Sequence, residues 1–392
     1  MKRTEVLEGI RKMRFEEAYE GWETGRLTQS EAGLLLGMCE RSFRRYLVRY
    51  REEGLAGLID HRLGQLSHRR APVDEVIGLT ELYSKRYPGW NVKHFYRKYQ
   101  SEHQGKRSYN WVRKALQDKA LVKIQKQRGK HRKRRERKPL PGMMLHQDGS
   151  THEWIPGVQW DLIATMDDAT SEVYSLYFVE EEGTASSMMG IMDVIETHGL
   201  FCSFYSDRGS HYWTTPEAGG RVDKHNLTQF GRAMKYLGID MIAAYSPEAR
   251  GRSERLFRTL QGRLPNELAL ANIVDMEAAN HFLKHHFLPT FNAEFKREAT
   301  EVGSAFVPYI GLPLKDIFCI QEERVVGKDN CVRYANRILQ IPADRYRYHY
   351  VKTKVKVFAY LDGTLAIFHG PRCLAHYDAA DQLINIPMEV AA

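Results

Sequence analysis

At 392 residues the chain is long enough for two to four domains, and its net charge of +9 is unevenly spread: residues 1–142 carry 34 Lys and Arg against 17 Asp and Glu, while residues 143–392 carry 24 against 32. A basic front joined to an acidic, strand-rich rear points to a polyanionic partner, nucleic acid above all. Five scattered cysteines with no Cys-x-x-Cys pair exclude a disulfide framework and a zinc finger, no apolar run approaches the ~20 residues that span a bilayer, and the polar first segment is not a secretory signal, so the expectation is a reduced, cytoplasmic chain with no membrane partner.

Residues 1–60 read as helices. Thr28, with Glu31 three residues on, forms a capping box for a helix to about Leu36, which Gly37 ends. In the next helix, 40–53, Phe43, Leu47 and Tyr50 share one face, leaving Arg41, Arg44, Arg45 and Arg49 mostly on the outer faces. Helix, glycine turn and basic helix make the pattern of a helix-turn-helix whose second helix enters a DNA major groove; the bland alternative is a solvated helical bundle.

Residues 71–122 predict a second unit of the same kind, helix-turn-helix or winged-helix-like. Pro72 opens its first helix, Pro88-Gly89 turns the chain, and helices follow over 90–100 and 108–117. Tyr109, Asn110, Arg113 and Lys114 at the front of the last helix are candidate base contacts, with Trp111 and Leu116 expected in the core. Residues 123–142 form a basic linker. Its stretch 123–138 holds ten Lys and Arg with one Glu and has no apolar face to bury. Arg132, Lys133, Arg134 and Arg135 are candidate phosphate contacts there, a nuclear-localisation signal being the competing reading.

From 143 to 265 strands and helices alternate. Strands are predicted over 143–149, 160–166 and 172–179, the last two a hairpin across Asp167-Asp168-Ala169-Thr170. Then come a helix 184–197, a strand 200–206, an inserted loop 208–226, a helix 227–237, a strand 239–244 and a helix 250–264. That is a ribonuclease H-like order in an α/β core with a mixed sheet. A helical connector follows over 266–320. The alternating runs of 321–380, with an Asp362-Gly363 hairpin signal, predict a small β-barrel. The expected fold is thus multidomain: all-α helix-turn-helix domains, a mixed α/β core and a β-barrel.

Three acids organise the core. Asp148 lies within the first strand, Asp207 ends the fourth, and Glu254 stands near the start of the last helix. Two aspartates on adjacent strands and a glutamate on a facing helix suit a two-Mg2+ site, which clamps the attacking and leaving oxygens of an in-line phosphoryl transfer. Each also has a bland reading: glycine-adjacent turn aspartates, and a solvated helix residue paired with Arg250 or Arg258. Asp167 and Asp168 are rivals assigned to turn chemistry, and Glu153 and Asp161 are weaker rivals. Arg250, Arg252 and Arg258 are candidate contacts to a DNA-end phosphate, against plain surface salt bridges. His146 is a candidate support for Asp148 and His211 for a water or phosphate, whereas His285-His286 reads as helix packing.

These motifs resemble the DDE integrase-core transposases of bacterial insertion sequences, ISNCY-type group, relatives of retroviral integrases. The most specific segment is Pro247-Glu248-Ala249-Arg250-Gly251-Arg252-Ser253-Glu254, which fits the family's Pro, three residues, Gly, two residues, Glu. Ser206-Asp207-Arg208-Gly209 fits the second-aspartate motif, 160–184 the strand hairpin and 287–295 the closing helix. The resemblance covers residues 1–378, most strongly 143–265, and departs in having 46 residues between the second and third acids, a gap the inserted loop accounts for. It implies that Asp148, Asp207 and Glu254 are catalytic and bind two Mg2+ ions, with Mn2+ able to substitute. It further implies double-stranded DNA as partner: terminal inverted repeats bound, 3′ ends cleaved and joined to target DNA by a homodimer or higher oligomer at the bacterial nucleoid. Two other readings stay open, a domesticated DNA-binding protein with an inactive core and a metal-dependent nuclease.

Overall fold

The computed structural model describes residues 3–59, 71–124, 136–217, 220–245, 251–343 and 346–384. The chain divides into two compact units, 1–82 and 83–392. In the first, α1 (Arg3–Glu23), α2 (Gln29–Leu35) and α3 (Glu40–Glu53) lead through a short 3₁₀ turn, Gly54–Leu58. The capping box forms as expected: Thr28 Oγ1 accepts the Glu31 N–H at 3.2 Å and the Glu31 carboxylate accepts the Thr28 N–H at 2.8 Å. Gly37 makes the turn with φ +68°, and a Cβ at Gly33 would meet the Met38 carbonyl at 2.9 Å, so the α2–α3 corner requires a bare backbone. Phe43 and Leu47 bury against Phe15, Ala18 and Ala32, which turns Arg41, Arg44, Arg45 and Arg49 to solvent.

A helix α4 (Val73–Arg86) carries the boundary between the units. Beyond it, α5 (Val92–Ser101) and α6 (Tyr109–Asp118) bury Phe95, Tyr99, Val112 and Leu116. Trp111, expected in that core, is only half-buried and lies under the Arg107 guanidinium at 5.2 Å, because Val112 occupies the inward position.

The central sheet has the order β3-β2-β1-β4-β5. β1 (Leu145–Ile155), β2 (Val158–Asp167) and β3 (Val173–Val179) form an antiparallel meander, and β4 (Ser203–Ser206) and β5 (Asp240–Ala243) run parallel to β1. The crossovers are α7 (Thr184–His198) and α8 (Gln229–Tyr236). Apolar side chains bury on both faces. Leu145 and Phe204 pack under α7 and α8, the latter contributing Phe230, while Trp154, Leu162 and Phe178 pack under α9 (Ser253–Gln261) and the helices after it. This is the ribonuclease H-like arrangement that the element order predicts.

Three boundaries differ. β1 continues to Ile155, because its pairing with β2 extends to the turn and Trp154 Nε1 donates to the Trp160 carbonyl at 2.9 Å. β4 begins at Ser203, since Leu200 pairs with Val307 instead. The last core helix ends at Gln261, and α10 (Leu264–Leu270) restarts with a proline in its first turn.

The connector continues through α11 (Met276–Phe282), a π-helical turn Leu283–Phe287, α12 (Leu288–Phe295) and α13 (Leu314–Ile317). The β domain contains β6 (Ile320–Val325), β7 (Cys331–Tyr334), β8 (Arg337–Gln340), β9 (Lys354–Ala359), β10 (Leu365–His369), β11 (Arg372–Tyr377) and β12 (Leu383–Ile384). Its sheet runs β12-β11-β10-β9-β6 and shares one core with a β7–β8 ribbon. The β9–β10 hairpin turns at Gly363 with φ +83°, as the Asp-Gly pair predicts. Among the described residues no helix is long and apolar enough to cross a membrane.

Candidate active site

β1 is the central strand, with β2 antiparallel on one side and β4 parallel on the other. In the parallel register Leu145 faces Phe204 and His146 faces Tyr205. Continued two residues, that register sets Asp148 abreast of Asp207, the first residue past β4. Asp148 is 9% exposed. Asp207 closes a tight turn, its Oδ1 accepting the Gly209 N–H at 2.9 Å. A Cβ at Gly209 would stand 2.8 Å from the His211 ring, so the two lie close together at this corner.

The inserted loop begins as part of the core. Tyr212 and Trp213 are buried, and Trp213 Nε1 donates to Ser206 Oγ at 3.0 Å. Tyr212 Oη donates to Gln147 Oε1 at 2.9 Å, and Gln147 Nε2 donates to Thr165 Oγ1 at 3.0 Å and to the Ser187 carbonyl at 3.2 Å. The segment after Asp207 is thereby tied to the strand that carries Asp148. Burial first, then the charge of Glu182, with Asp148 adding a smaller share, holds the Tyr212 hydroxyl well above its usual pKa.

Glu182 is an acid that sequence reading missed. A Cβ at Gly149 would lie 2.2 Å from its Oε2, and its Oε1 stands 3.4 Å from His211 Nε2. It lies next to Asp148 because the chain leaving β3 folds back, its N–H donating to Asp161 Oδ2 at 2.7 Å. In sequence, Glu180-Glu181-Glu182 looks like a solvated turn.

Glu254 is the second residue of α9 and is exposed. Leu256, Phe257 and Leu260 bury the inner face of that helix. Side chains tie it down at both ends: Gln261 Nε2 donates to Ser150 Oγ at 3.0 Å, and Arg252 Nη1 pairs with Asp168 Oδ1, which also binds His146 Nε2 at 2.7 Å. Glu254 lies between these anchors on α9, as Asp148 lies between His146 and Ser150 on β1. Among the described residues no three His, Cys, Asp or Glu side chains gather closely enough to hold an ion.

Asp167 and Asp168 part company. Asp167 does the turn chemistry expected of it, accepting from Thr170 N–H at 2.7 Å, Thr170 Oγ1 at 2.9 Å and Gly142 N–H at 3.0 Å. Asp168, 1% exposed, is instead a junction. Besides Arg252 and His146, it takes the Lys138 N–H on Oδ2 at 2.8 Å. His146 is therefore bonded to Asp168, and Arg252 is engaged by a buried carboxylate.

The DNA-contact candidates are spread out. Arg44 is held by Glu40 and, at 3.0 Å, by Gln29. Tyr109 is flanked by Lys93 at 5.3 Å and Arg113 at 5.9 Å, while Asn110, Arg113, Lys114 and Arg258 are exposed. Arg132, Lys133, Arg134, Arg135 and Arg250 lie outside the described residues. His285 packs on His281 at 4.4 Å within the connector, as expected.

A charged seam joins α5 to α10 and α12. His94 Nε2 meets Glu267 at 2.6 Å, Lys98 meets Glu267 at 3.0 Å, and Arg263 forks onto Glu294 at 2.8 and 3.1 Å. Burial alone would raise the Glu267 carboxyl, but the hydrogen bond from His94 and the Lys98 charge hold it below the usual range.

Known proteins with similar sequences fit this outline. Residues 18–75 match the sequence family described as winged helix-turn helix, which places that likeness on the first helical unit. The chain is 29% identical over 349 residues to the putative transposase y4bF of Sinorhizobium fredii, covering 88% of this chain and 75% of that protein. It is 27% identical over 400 aligned positions to the transposase for insertion sequence IS1202 of Streptococcus pneumoniae, covering 90% and 84%. Of solved structures, a simian T-cell lymphotropic virus intasome in complex with PP2A regulatory subunit B56 gamma is similar at 14% identity and TM-score 0.36, covering 74% of this chain and 91% of that one. The HTLV-2 integrase catalytic core with magnesium is similar at 14% identity and TM-score 0.28, covering 36% and 83%. The two structural likenesses are loose, and the function proposed below does not depend on them. Over most of its length the chain is thus similar in sequence to these two transposases.

Proposed function

We propose that this relative of insertion-sequence transposases is itself a DNA transposase of the DDE type. It binds the terminal inverted repeats of its element, cleaves the 3′ ends and joins them to target DNA. The observation that supports the reading is the β1–β4 register, which, continued two residues, would bring Asp148 abreast of Asp207, together with a helix packed on that sheet whose first turn holds Glu254.

The donor set fits a hard divalent cation, because all three groups are carboxylates and Mg2+ prefers oxygen ligands. Asp148, Asp207 and Glu254 would hold it. When bound, the metal supplies Lewis-acid stabilisation of the attacking and leaving oxygens in an in-line displacement, and Mn2+ shares its ligand preference.

The chain's own residues do the rest. Asp148 is set by backbone pairing within β1 and Asp207 by the turn it closes directly after β4, so both need little reorganisation for the reaction. Glu254, exposed on α9, enters from the helix side. Arg258, one turn on, holds a phosphate of the DNA end and so fixes the scissile bond relative to the acids. The exposed arginines of α3 and the front of α6 read the repeat, and the basic stretch 123–138 follows the backbone. Joining two ends in one event calls for at least a homodimer on DNA.

The test is a strand-transfer assay with a duplex of the element's end, Mg2+ and supercoiled target, comparing wild type with Glu254→Gln. Joined product from wild type alone is expected. Hydrolysis without joining would make the protein a nuclease, and DNA binding with neither activity would make it a binding protein.

A further inference from the structure

A second basic site lies beside α9, built from segments far apart in the sequence. Between the β2–β3 turn, the first half of α9 and the residues after α12 is a cavity of about 100 Å³, with an apolar floor from Met166, Leu256, Phe291 and Phe295 and a polar rim of Arg137, Arg252, Arg255, Arg297, Ser171 and Thr259. Four guanidinium groups share it. The nearby carboxylates are already engaged: Asp168 holds Arg252, His146 and the Lys138 N–H, and Asp167 holds Gly142 and Thr170. Arg137 directs its N–H groups to the Asp168 carbonyl at 2.7 Å, the Ala169 carbonyl at 3.1 Å and Ser171 Oγ at 2.9 Å. Arg255 and Arg297 are exposed, and neither makes a side-chain hydrogen bond or ion pair among the described residues.

The crowding has an electrostatic cost. Burial first, then the charges of Arg297 and Arg255, pushes the Arg137 guanidinium below its ordinary pKa, with Asp167 giving back only part. Like charges so close are relieved by an anion, and guanidinium forks beside two hydroxyls match the oxygens of a phosphate. Arg252, Arg255 and Thr259 recur every three or four residues at the start of α9 and form one stripe, so the pocket opens on a different face of that helix from Glu254.

We propose that this pocket is a phosphate subsite that takes one phosphodiester of a DNA strand bound along α9, with Arg255 and Arg297 as the donors and Arg137 and Arg252 as the fixed wall. The identity of the anion as DNA backbone rests on the transposase reading; the anion site itself does not.

The experiment measures binding of the full chain to a terminal-repeat duplex over a salt series, for wild type, Arg255→Gln/Arg297→Gln and Arg255→Lys/Arg297→Lys. Each phosphate contact contributes roughly 0.9 to the slope of log affinity against log salt, so the Gln pair should flatten the slope by about that amount while the Lys pair keeps it. Both residues are exposed, so the variants should melt with wild type; if the double Gln variant does not, Arg297→Gln alone reads the same slope. Inorganic phosphate and a nucleoside triphosphate, added as separate probes in thermal melts, should stabilise wild type more than the Gln variant. An unchanged slope overturns the proposal. So does selective stabilisation of wild type by inorganic phosphate with no change in slope, which would make this a free-anion site. A wild type that shows the slope difference yet joins no DNA supports the pocket and sinks the transposase reading.

Discussion

The two halves of the candidate site are held in different ways. Asp148 belongs to the sheet, where the pairing of β1 with both neighbours sets it and a one-residue slip would turn every side chain to the wrong face, and Asp207 follows directly on β4, held by its turn to the Gly209 N–H. Glu254 belongs to a helix laid on that sheet, placed by three buried apolar side chains and by anchors at Arg252 and Gln261. Backbone ladders hold geometry whatever the neighbouring side chains do, whereas a helix end depends on a few polar contacts. The strand half should therefore fail only when its own carboxylates are removed, and the helix half should also fail when its supports are removed.

The sharpest contrast comes from the acids themselves. Asp148→Asn and Asp207→Asn should each reduce strand transfer by about a thousandfold or more, on the order of 4 kcal/mol in the barrier, with DNA affinity and Tm unchanged. A partly active Asp148→Asn would break the comparison on its rigid side.

Asp168→Asn tests the helix side. It weakens the anchor two residues before Glu254, and loss of such a support typically costs about 10–100-fold in metal affinity or activity. Initial joining rates over a Mg2+ series should show a raised metal requirement, with Asp168→Glu recovering part of the rate. A lowered Tm with an unchanged metal requirement would make Asp168 purely structural.

The seam between α5 and α10 should respond to acid. The Glu267 carboxyl lies below its ordinary value of 4.5 in the folded chain, so its contribution is present above that pH and is lost as pH falls through the folded value. The Lys98 ammonium is shifted the other way: burial opposes its charge, but Glu267 outweighs that and raises it above 10.5, so its contribution is lost only as pH rises through the folded value. Melting curves of Glu267→Gln should show a shallower acid limb and a loss of about 1–3 kcal/mol near neutrality. An acid limb identical to wild type would remove the seam from the account.

The smallest effect is expected at Arg44→Ala. Its exposed pair with Glu40 is worth roughly 0.2–1 kcal/mol, so stability should barely move, while the salt slope of DNA binding should fall by about one. A slope equal to wild type would take Arg44 off the DNA.

Much of this was legible in the sequence where the signal is local. Thr28 and Glu31 announced a capping box, Phe43 and Leu47 a buried stripe, and the strand runs gave the order of elements along the chain, the strand that holds Asp148 and the strand end at Asp207. What stayed hidden depends on segments meeting in space. Asp167 and Asp168 are neighbours in one turn, yet only Asp168 meets Arg252, and no periodicity distinguishes them. Glu182 reaches Gly149 and His211 only because the chain leaving β3 turns back. Trp111 looked apolar enough for the core, but Val112 fills that place. The arginine pocket joins residues from the linker, the start of α9 and the segment after α12, which no sequence motif links.

The central claim is that Asp148, Asp207 and Glu254 share one metal site. Replacing Mg2+ with Fe2+ in the DNA-bound protein and generating hydroxyl radicals at the ion cuts the backbone beside it. Cuts at Asp148, Asp207 and Glu254 together, all lost in Asp148→Asn, are the result this account predicts. Cuts at the two strand positions that leave α9 intact, or a pattern that survives Asp148→Asn, would contradict it.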